Sequence, residues 1–393
     1  MRGDATEVAG AACGFAGPLS AAVIGAPALA ALTAEWRDLA ANAVEPNAFY
    51  SPAMLVPALE AFADEGPALV IARDGGGRLA GLAPIALQRG YSRLPVPYVA
   101  TWMHKHCFFA APLVRQGYER AFFRAIFDLA ESRGAFFRLR HLDAKGPLFA
   151  AAAAVAAETG RLAAPSARYE RAMLQAPWST DEYLKVSLNA KRRKEMRRRR
   201  ARLEEEGALR FEMSAAGDDF DAWADDFMAL EASGWKGAAG TAMRQDPASE
   251  RFFKEAVRSA AAADEVRFFR LMLGARTIAA AVNFQSGAVS YSFKIAYDEA
   301  YSRFSPGVMM ETDMMKALEG APGLAFVDSC AKTSHPMIDR LWRGRRAIAA
   351  LNVSRRGLAA KSVFRLLTIL ESASEKTRAA KRKSTEPDGD DDL

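Results

Sequence analysis

The stretch that decides the fold reads Tyr291-Ser-Phe-Lys-Ile-Ala-Tyr-Asp-Glu-Ala-Tyr-Ser-Arg-Phe-Ser-Pro-Gly-Val308. Bulky residues alternate with small or polar ones over 289–297, which predicts a half-buried β-strand. The chain then turns and restarts as a helix, for which Ser305 suits the N-cap and Pro306 the first helical position. A helix that begins at the end of a strand directs free N–H groups into the adjoining cleft, where they favour an anion such as phosphate. An ordinary capped helix after a strand would explain the same residues.

Size and composition limit the class of protein. The chain has 393 residues, which is long enough for two domains. Cys13, Cys107 and Cys330 form no closely spaced pair, which argues against a disulfide framework and for a reducing compartment. No apolar run reaches the roughly 18 residues of a membrane span, and no signal peptide is recognisable, so we expect a cytoplasmic protein. His104 and His106 beside Cys107 lack a further ligand at recognisable spacing, so no metal site is expected.

Both halves of the sequence repeat one order of elements: a helix, an acidic turn (Asp64-Glu65 and Asp264-Glu265), and a hairpin of two apolar strands. The hairpins are predicted over 68–88 and 266–285. We interpret this order as an α/β (α+β) fold of two tandem domains, each a mixed, mostly antiparallel sheet flanked by helices. Helix-then-hairpin is a common arrangement, so coincidence is the alternative. The predicted domains cover residues 1–165 and 166–372, and the polar residues 373–393 are predicted to be a disordered tail.

A strongly basic helix is predicted over 179–206, between the two halves. Ser179 and Glu182 have the spacing of a capping box at its start. Two ion pairs are predicted one turn apart, Arg200 with Glu204 and Arg202 with Glu206.

The charge of this helix exceeds what those two pairs neutralise, because residues 191–200 include eight basic side chains. We therefore expect an anionic ligand or surface along the segment from Lys191 to Arg202. Nucleic acid, an anionic membrane or the phosphates of a bulky cofactor would each suit it, and a solvated helix face is the simpler alternative. Sequence-specific DNA binding is not expected, since no helix-turn-helix, zinc-finger or basic-zipper pattern accompanies the run.

Several short motifs occur in an order that resembles one known family. They are Ser187 with Lys191-Arg-Arg193, Leu203-Glu-Glu-Glu-Gly207, Leu230-Glu-Ala-Ser-Gly-Trp-Lys236 with Gly240-Thr241, Phe293-Lys-Ile-Ala-Tyr-Asp-Glu299, Ser305-Pro-Gly307, and Asp328. This order resembles the CelD/BcsL-type acetyltransferases of the GNAT superfamily, which are relatives of the Fem-type peptidoglycan aminoacyl transferases. The resemblance is strongest over 178–351. It is looser in the N-terminal half, where Trp36 and Phe49-Tyr-Ser-Pro52 match the opening of the family.

The resemblance implies a GNAT-like fold that takes acetyl-CoA or another acyl-CoA as co-substrate, without a metal. Family members are often associated with extracellular polysaccharide, so the implied acceptor is a small molecule or glycan, such as a sugar or cell-envelope precursor. The family's diphosphate-binding loop corresponds to residues 303–308, where Pro306 and Val308 stand in place of glycines. Transfer would be direct, with an amine or hydroxyl attacking the thioester.

The resemblance also implies roles for individual residues. The diphosphate would be bound by Arg303, Ser305, Gly307 and Val308. Candidate bases are Asp298, Glu299, Asp328 and His335, and Tyr301 or Tyr297 would protonate the departing thiolate. Trp235, Lys236 and Lys294 would contact the substrate. Each residue also has a structural alternative; Asp298 and Glu299, for example, could simply shape the turn.

Two other functions fit the same sequence. The first is a Fem-like transferase whose donor is an aminoacyl-tRNA, because the basic helix would suit tRNA. The second is a GNAT-fold protein that binds an anionic partner without catalysis, because the diphosphate loop lacks glycines and a fold alone does not establish a function.

Overall fold

The computed structural model describes residues 17–25, 29–62, 67–91, 94–333, 335 and 337–385. Its strands are β1 (Ser20–Ile24), β2 (Ala68–Arg73), β3 (Leu79–Gln88), β4 (Tyr98–Thr101), β5 (Leu113–Val114), β6 (Phe136–Asp143), β7 (Ala163–Gln175), β8 (Leu209–Met213), β9 (Val266–Leu273), β10 (Arg276–Ser286), β11 (Val289–Tyr297), β12 (Phe326–Asp328) and β13 (Gly344–Ser354). Its helices are α1 (Leu29–Ala41), α2 (Pro52–Phe62), α3 (Glu119–Ala130), α4 (Pro147–Glu158), α5 (Thr180–Ser187), α6 (Ala190–Glu206), α7 (Phe220–Ser233), α8 (Trp235–Ala238), α9 (Pro247–Ala261), α10 (Pro306–Leu318), α11 (Ile338–Leu341) and α12 (Leu358–Thr385). Short 3-10 turns cover Ala48–Tyr50, Met243–Gln245 and Glu299–Phe304.

All the strands belong to one mixed sheet with the order β1-β2-β3-β4-β6-β13-β7-β12-β11-β10-β9-β8, and β5 pairs with β3. Most neighbours are antiparallel. Each half contributes one parallel pair, β4 with β6 and β11 with β12. The expected fold class, a mixed and mostly antiparallel sheet flanked by helices, is therefore confirmed.

The two halves are joined by continuous hydrogen bonding. β7 runs across the predicted domain boundary at 165/166, and β13 pairs with β6 on one side and β7 on the other. One hydrophobic core also spans both halves: the Phe49 ring from the N-terminal half lies 5.3 Å from that of Tyr291, and the Phe108 ring 5.7 Å from that of Phe293. A second core cluster lies beneath α10.

Both predicted hairpins are present, as β2–β3 and β9–β10. The acidic turn at Asp64 and Glu65 lies outside the described residues, as does Cys13. Cys107 and Cys330 are free thiols.

The basic segment differs from the prediction because it forms two helices. α5 ends before Leu188, and Asn189 starts α6 by accepting a hydrogen bond from the Arg192 amide at 2.9 Å. Ser179 does occupy the N-cap of α5, but its side chain makes no capping hydrogen bond. A single helix was predicted because the residues on both sides of Asn189 favour helix formation. The capping side chain of Asn189 starts a new helix within that run.

Two further expectations at the helix ends need correction. The Arg200–Glu204 pair is present at 3.3 Å, whereas Glu206 pairs with Arg303 instead of Arg202. The predicted tail begins too early, because α12 continues to Thr385 and only residues 386–393 lie outside the described part. The polar composition of residues 373–385 did not predict a helix, because the contacts that hold α12 come from its first half.

Candidate functional site

The site is built around a gap between β11 and β12. These strands pair only from Val289 to Tyr291, opposite Phe326 to Asp328. From Ser292 onward, β11 pairs within the described residues with β10 alone. Two parallel neighbours that part in this way leave a wedge whose walls carry unpaired backbone groups.

A β-bulge lies at the point where the strands separate. Val282 of β10 is paired with Lys294 and the next residue, Asn283, with Ser292, so Phe293 is an extra residue in β11. A bulge re-aims the side chains that follow it and takes one residue out of the ladder, and bulges are frequent beside active sites. Sequence alternation did not reveal this one, because the bulky residues on either side keep the appearance of a regular strand.

The start of α10 stands at the far end of β11. A methyl group placed on Gly307 would lie 3.5 Å from Met337 Sδ and 3.7 Å from the Tyr297 ring, so position 307 borders the gap. The carbonyl oxygen of Ser305 accepts the Val308 amide at 3.1 Å. Since Pro306 has no N–H, the Gly307 amide is the free donor at this end, with no acceptor among the described residues.

Ser305 does not act as the predicted side-chain cap. Its backbone is left-handed, with φ 57° and ψ 55°, and its hydroxyl makes no hydrogen bond to the helix. Instead, the hydroxyl accepts a hydrogen bond from Arg199 of α6 at 2.6 Å. The basic helix is therefore held directly over the start of α10.

A small open cleft lies between α6, α10 and α11. Its floor is apolar and its rim carries three arginines; the lining residues are Leu188, Arg192, Glu195, Met196, Arg199, Phe304, Ser305, Val308, Met309, Met337, Arg340 and Leu341. A second, more polar cleft lies on the other side of Arg199 and is lined by Glu195, Arg198, Arg199, Arg202, Glu205, Glu206, Arg303 and Phe304. The combination suits a ligand with both an anionic and an apolar part.

The four predicted diphosphate residues divide between the two clefts. Val308 and Ser305 line the apolar cleft, and Gly307 borders the gap. Arg303 lines the polar cleft, where it is 70% exposed, pairs with Glu206 at 2.6 Å and stacks on the Phe304 ring. Sequence analysis did not assign Arg192, Arg199 and Arg340 to this site, although the basic run pointed to the first two.

Asp298 and Glu299 both have structural partners. Asp298 accepts a hydrogen bond from the Ala300 amide at 3.0 Å and pairs with Arg276 at 2.5 Å. Glu299 accepts a hydrogen bond from the Trp235 amide at 2.6 Å. These contacts match the alternative in which the two acids shape the turn.

Asp328 is not placed to act as a base. Its side chain is fully buried, and one carboxylate oxygen lies 2.5 Å from Arg171 Nη2 and 2.7 Å from Arg346 Nη1. Burial alone would raise the pKa of Asp328, but the two guanidinium groups hold that pKa below its usual value. The residue serves as the counter-charge of a buried cluster, so the role of a base predicted for it is wrong.

His335 and Tyr301 have different surroundings. His335 Nδ1 accepts a hydrogen bond from the Ile338 amide at 3.3 Å, and burial lowers its pKa, so the neutral ring carries its proton on Nε2. It can therefore donate rather than accept at Nε2. Tyr301 packs in the second core cluster and lies against Arg276, whereas Tyr297 borders Gly307.

Two of the three predicted substrate residues, Lys236 and Lys294, meet at a carboxylate for which the sequence suggested no role. Glu231 Oε1 lies 2.9 Å from Lys236 Nζ and 3.2 Å from Lys294 Nζ, and Glu231 has no exposed side-chain surface. Burial lowers the pKa of Lys294. Trp235, beside Lys236, is 60% exposed. Sequence position could have indicated Glu231, because an acidic residue one turn after Phe227 falls on the buried face of α7.

The two histidines beside Cys107 are packed inside the protein. His106 Nε2 is 2.7 Å from Ser249 Oγ, and burial lowers the pKa of both His104 and His106 to about 3. In the part of the chain that the structure describes, no three His, Cys, Asp or Glu side chains are grouped so that they could hold a metal ion. The helices in that part include none that is both long and apolar enough to cross a membrane.

Comparison with known proteins identifies the C-terminal half. Residues 190–334 match the family model described as an acetyltransferase (GNAT) domain. No curated protein sequence matches the chain. The region that matches contains the bulge, the gap and the start of α10.

Solved structures share the overall fold at low sequence identity. FemX is 11% identical, with a TM-score of 0.55, over 89% of this chain and 100% of that chain. The C-terminal domain of an Agrobacterium fabrum protein described as a lysylphosphatidylglycerol synthetase is 12% identical, with a TM-score of 0.52, over 88% and 96%. A conserved protein from Bacteroides thetaiotaomicron is 9% identical, with a TM-score of 0.51, over 86% and 100%. The chain thus has a FemX-like fold, and the match of residues 190–334 to the acetyltransferase (GNAT) domain model supports an acyltransferase.

Proposed function

We propose that this protein transfers an acyl group from acyl-CoA to an amine or hydroxyl of a sugar or cell-envelope precursor. The observation that carries the proposal is the wedge between β11 and β12, which opens at a bulge and ends at the free Gly307 amide. An extended thioester arm could lie in such a wedge and pair with the unpaired edge of β11. Its anionic end would then reach the start of α10.

The chemistry of the clefts fits coenzyme A. Pro306 and the bonded Val308 amide leave fewer backbone donors than a glycine-rich loop would offer. Arg192, Arg199 and Arg340 supply positive charge at the same place. We infer that these side chains take over part of the diphosphate binding.

The chain's own residues would divide the catalytic tasks as follows. The acyl-CoA supplies the thioester carbonyl and a thiolate leaving group. The bulge at Phe293 would present a backbone N–H to the developing oxyanion. Tyr297, next to Gly307, would donate a proton to the sulfur as the C–S bond breaks, and the proton of the attacking amine or hydroxyl would pass to water. The ion-paired Lys294 and Glu231 would position the acceptor. The exposed Trp235 ring would offer a flat surface for a sugar.

Thermal unfolding with and without acetyl-CoA tests the donor. A ligand at about 100 times its dissociation constant adds about 2.7 kcal/mol to the free energy of unfolding. We expect Arg199→Ala to reduce this stabilisation strongly and Arg197→Ala, on an exposed face of the same helix, to leave it unchanged. No stabilisation of the wild type, or equal losses in both variants, would contradict the proposal.

A second candidate is a Fem-like transferase that takes its donor from an aminoacyl-tRNA. It is favoured by the basic side chains of α6 that have no ion-pair partner among the described residues, namely Lys191, Arg192, Arg193, Lys194, Arg197 and Arg202. Retention of tRNA that weakens steeply with salt, without stabilisation by acetyl-CoA, would select it. If neither acetyl-CoA nor tRNA binds, the remaining candidate is a GNAT-fold protein that binds an anionic partner without catalysis.

A further inference from the structure

The outer face of α12 has an exposed apolar surface that the proposed acyltransferase function does not use. Leu358 is 85% exposed, Leu366 58% and Ile369 66%, and Val363 and Leu370 are also exposed. Leu366, Ile369 and Leu370 share one face at helical spacing. Nothing in the described part of the chain covers these side chains, so a surface of this kind requires a partner.

The opposite face of the same helix is firmly attached to the body of the protein. Phe364 and Leu367 are buried in a cluster with Tyr91, Tyr98 and Phe136. Glu371 is buried and pairs with Arg138 at 2.8 Å. The exposed face is therefore held in a fixed orientation, and it is the solvent side of a docked helix.

The charges of α12 indicate what covers its outer face. Its sequence contains seven basic residues and two acidic ones. The basic residues are Lys361, Arg365, Lys376, Arg378, Lys381, Arg382 and Lys383. One of the acids, Glu371, is already neutralised by Arg138 in the interior. A second copy of the chain would bring two cationic helices together, which is unfavourable.

We propose that the outer face of α12 lies on an anionic lipid bilayer. The aliphatic side chains enter the boundary between headgroups and acyl chains, and Lys361 and Arg365 contact the anionic headgroups. An apolar stripe with basic residues beside it has the composition of a helix that lies on a membrane without crossing it. The enzyme would then be held at the membrane surface by its C-terminal helix.

Vesicle flotation of the full chain tests this surface. The vesicles are phosphatidylcholine alone or phosphatidylcholine with about one third phosphatidylglycerol. We expect binding to the anionic vesicles only, and weaker binding as salt rises from about 0.1 M to about 0.5 M. Leu366→Asp with Ile369→Asp, and separately Lys361→Glu with Arg365→Glu, should weaken binding by about tenfold or more.

The matched control is Leu87→Asp, which alters an exposed leucine of β3, outside α12, and should bind like the wild type. Melting temperatures show whether each variant is folded; if the aspartate pair unfolds the protein, the charge-reversal pair decides. Wild-type binding by both α12 variants would assign the membrane contact elsewhere, such as α6, and overturn the proposal. A dimer that dissociates in Leu366→Asp with Ile369→Asp, together with no vesicle binding, would also overturn it.

Discussion

Glu311 of α10 gives the sharpest test of the electrostatics of this fold. It is 2% exposed and lies beside the buried Met310, Met314 and Met315, and its Oε2 has no hydrogen-bond partner among the described residues. Burial raises the pKa of Glu311 from 4.5 to about 8. The folded protein therefore holds a proton between pH 4.5 and 8 that the unfolded chain has lost, so stability falls as pH rises through this range.

The magnitude follows from the two pKa values. At about 1.4 kcal/mol per pH unit above 4.5, keeping Glu311 protonated in the fold costs about 3 kcal/mol at pH 7. Glu311→Gln keeps the shape and removes the titration. As pH rises from 5 to 8, we expect the free energy of unfolding of this variant to increase by about 3 kcal/mol relative to that of the wild type.

Urea unfolding at intervals from about pH 5 to about pH 8.5 measures this difference directly. Glu45 also has a pKa raised by burial, to about 7, but its contribution is common to both proteins and cancels. Glu60→Gln, at an exposed position of α2, serves as the control for replacing a glutamate by glutamine. Parallel pH profiles for the wild type and Glu311→Gln would refute the reasoning, because they would mean that Glu311 ionises in the folded state near its ordinary pKa.

Three further predictions concern the gap and its surroundings. Asp328→Ala should lower the free energy of unfolding by about 3–5 kcal/mol, because the buried Arg171 loses its carboxylate partner and the buried Arg346 keeps only Asp143. Asp313→Ala, at the partly exposed pair with Arg200, should cost about 1 kcal/mol or less in the same urea titration. Gly307→Ala should retain stabilisation by acetyl-CoA and Gly307→Leu should lose it with an unchanged melting temperature of the free protein, since a methyl group fits beside Met337 and a larger side chain fills the gap. Glu231→Gln should lower the melting temperature and acyl transfer together, because Lys236 and Lys294 would face each other without a counter-charge; a variant with full activity would remove this cluster from the acceptor site.

Segments with a regular hydrophobic period could be predicted from the sequence, because their buried side chains follow that period. β11 has the predicted bounds, and the second hairpin ends within one residue of its predicted range. β7 and β13 were not predicted, because their buried positions include Arg171 and Arg346, which a hydrophobic pattern assigns to the surface. Each arginine is kept inside by Asp328, which is distant in sequence from Arg171, so no local signal announces either strand.

The candidate site was located by sequence more reliably than its residues were assigned. The strand, turn and helix start over 289–308 were recognisable from alternation and from the Ser-Pro-Gly signal. The bulge at Phe293 and the pairing of Glu231 with two lysines depend on register and on tertiary contacts, which alternation cannot report. The anionic partner predicted for the basic segment stays a prediction. The Arg199 side chain reaches the start of α10 because α6 is a separate helix that begins at Asn189.

The role of Asp328 explains why this site lies where it does. Asp328 is the last residue of β12, paired with Tyr291, and its Oδ1 accepts a hydrogen bond from the Cys330 amide at 2.9 Å. Cys330 has a left-handed backbone, with φ 53°, so the chain leaves the direction of β12 at this point. On the facing strand, the bulge at Phe293 begins just beyond Tyr291. A carboxylate fixed by two arginines therefore ends the pairing at the place where β11 bends, and the wedge follows from that geometry. The acid that resembled a catalytic base contributes to function by shaping the opening in which the chemistry is proposed to occur.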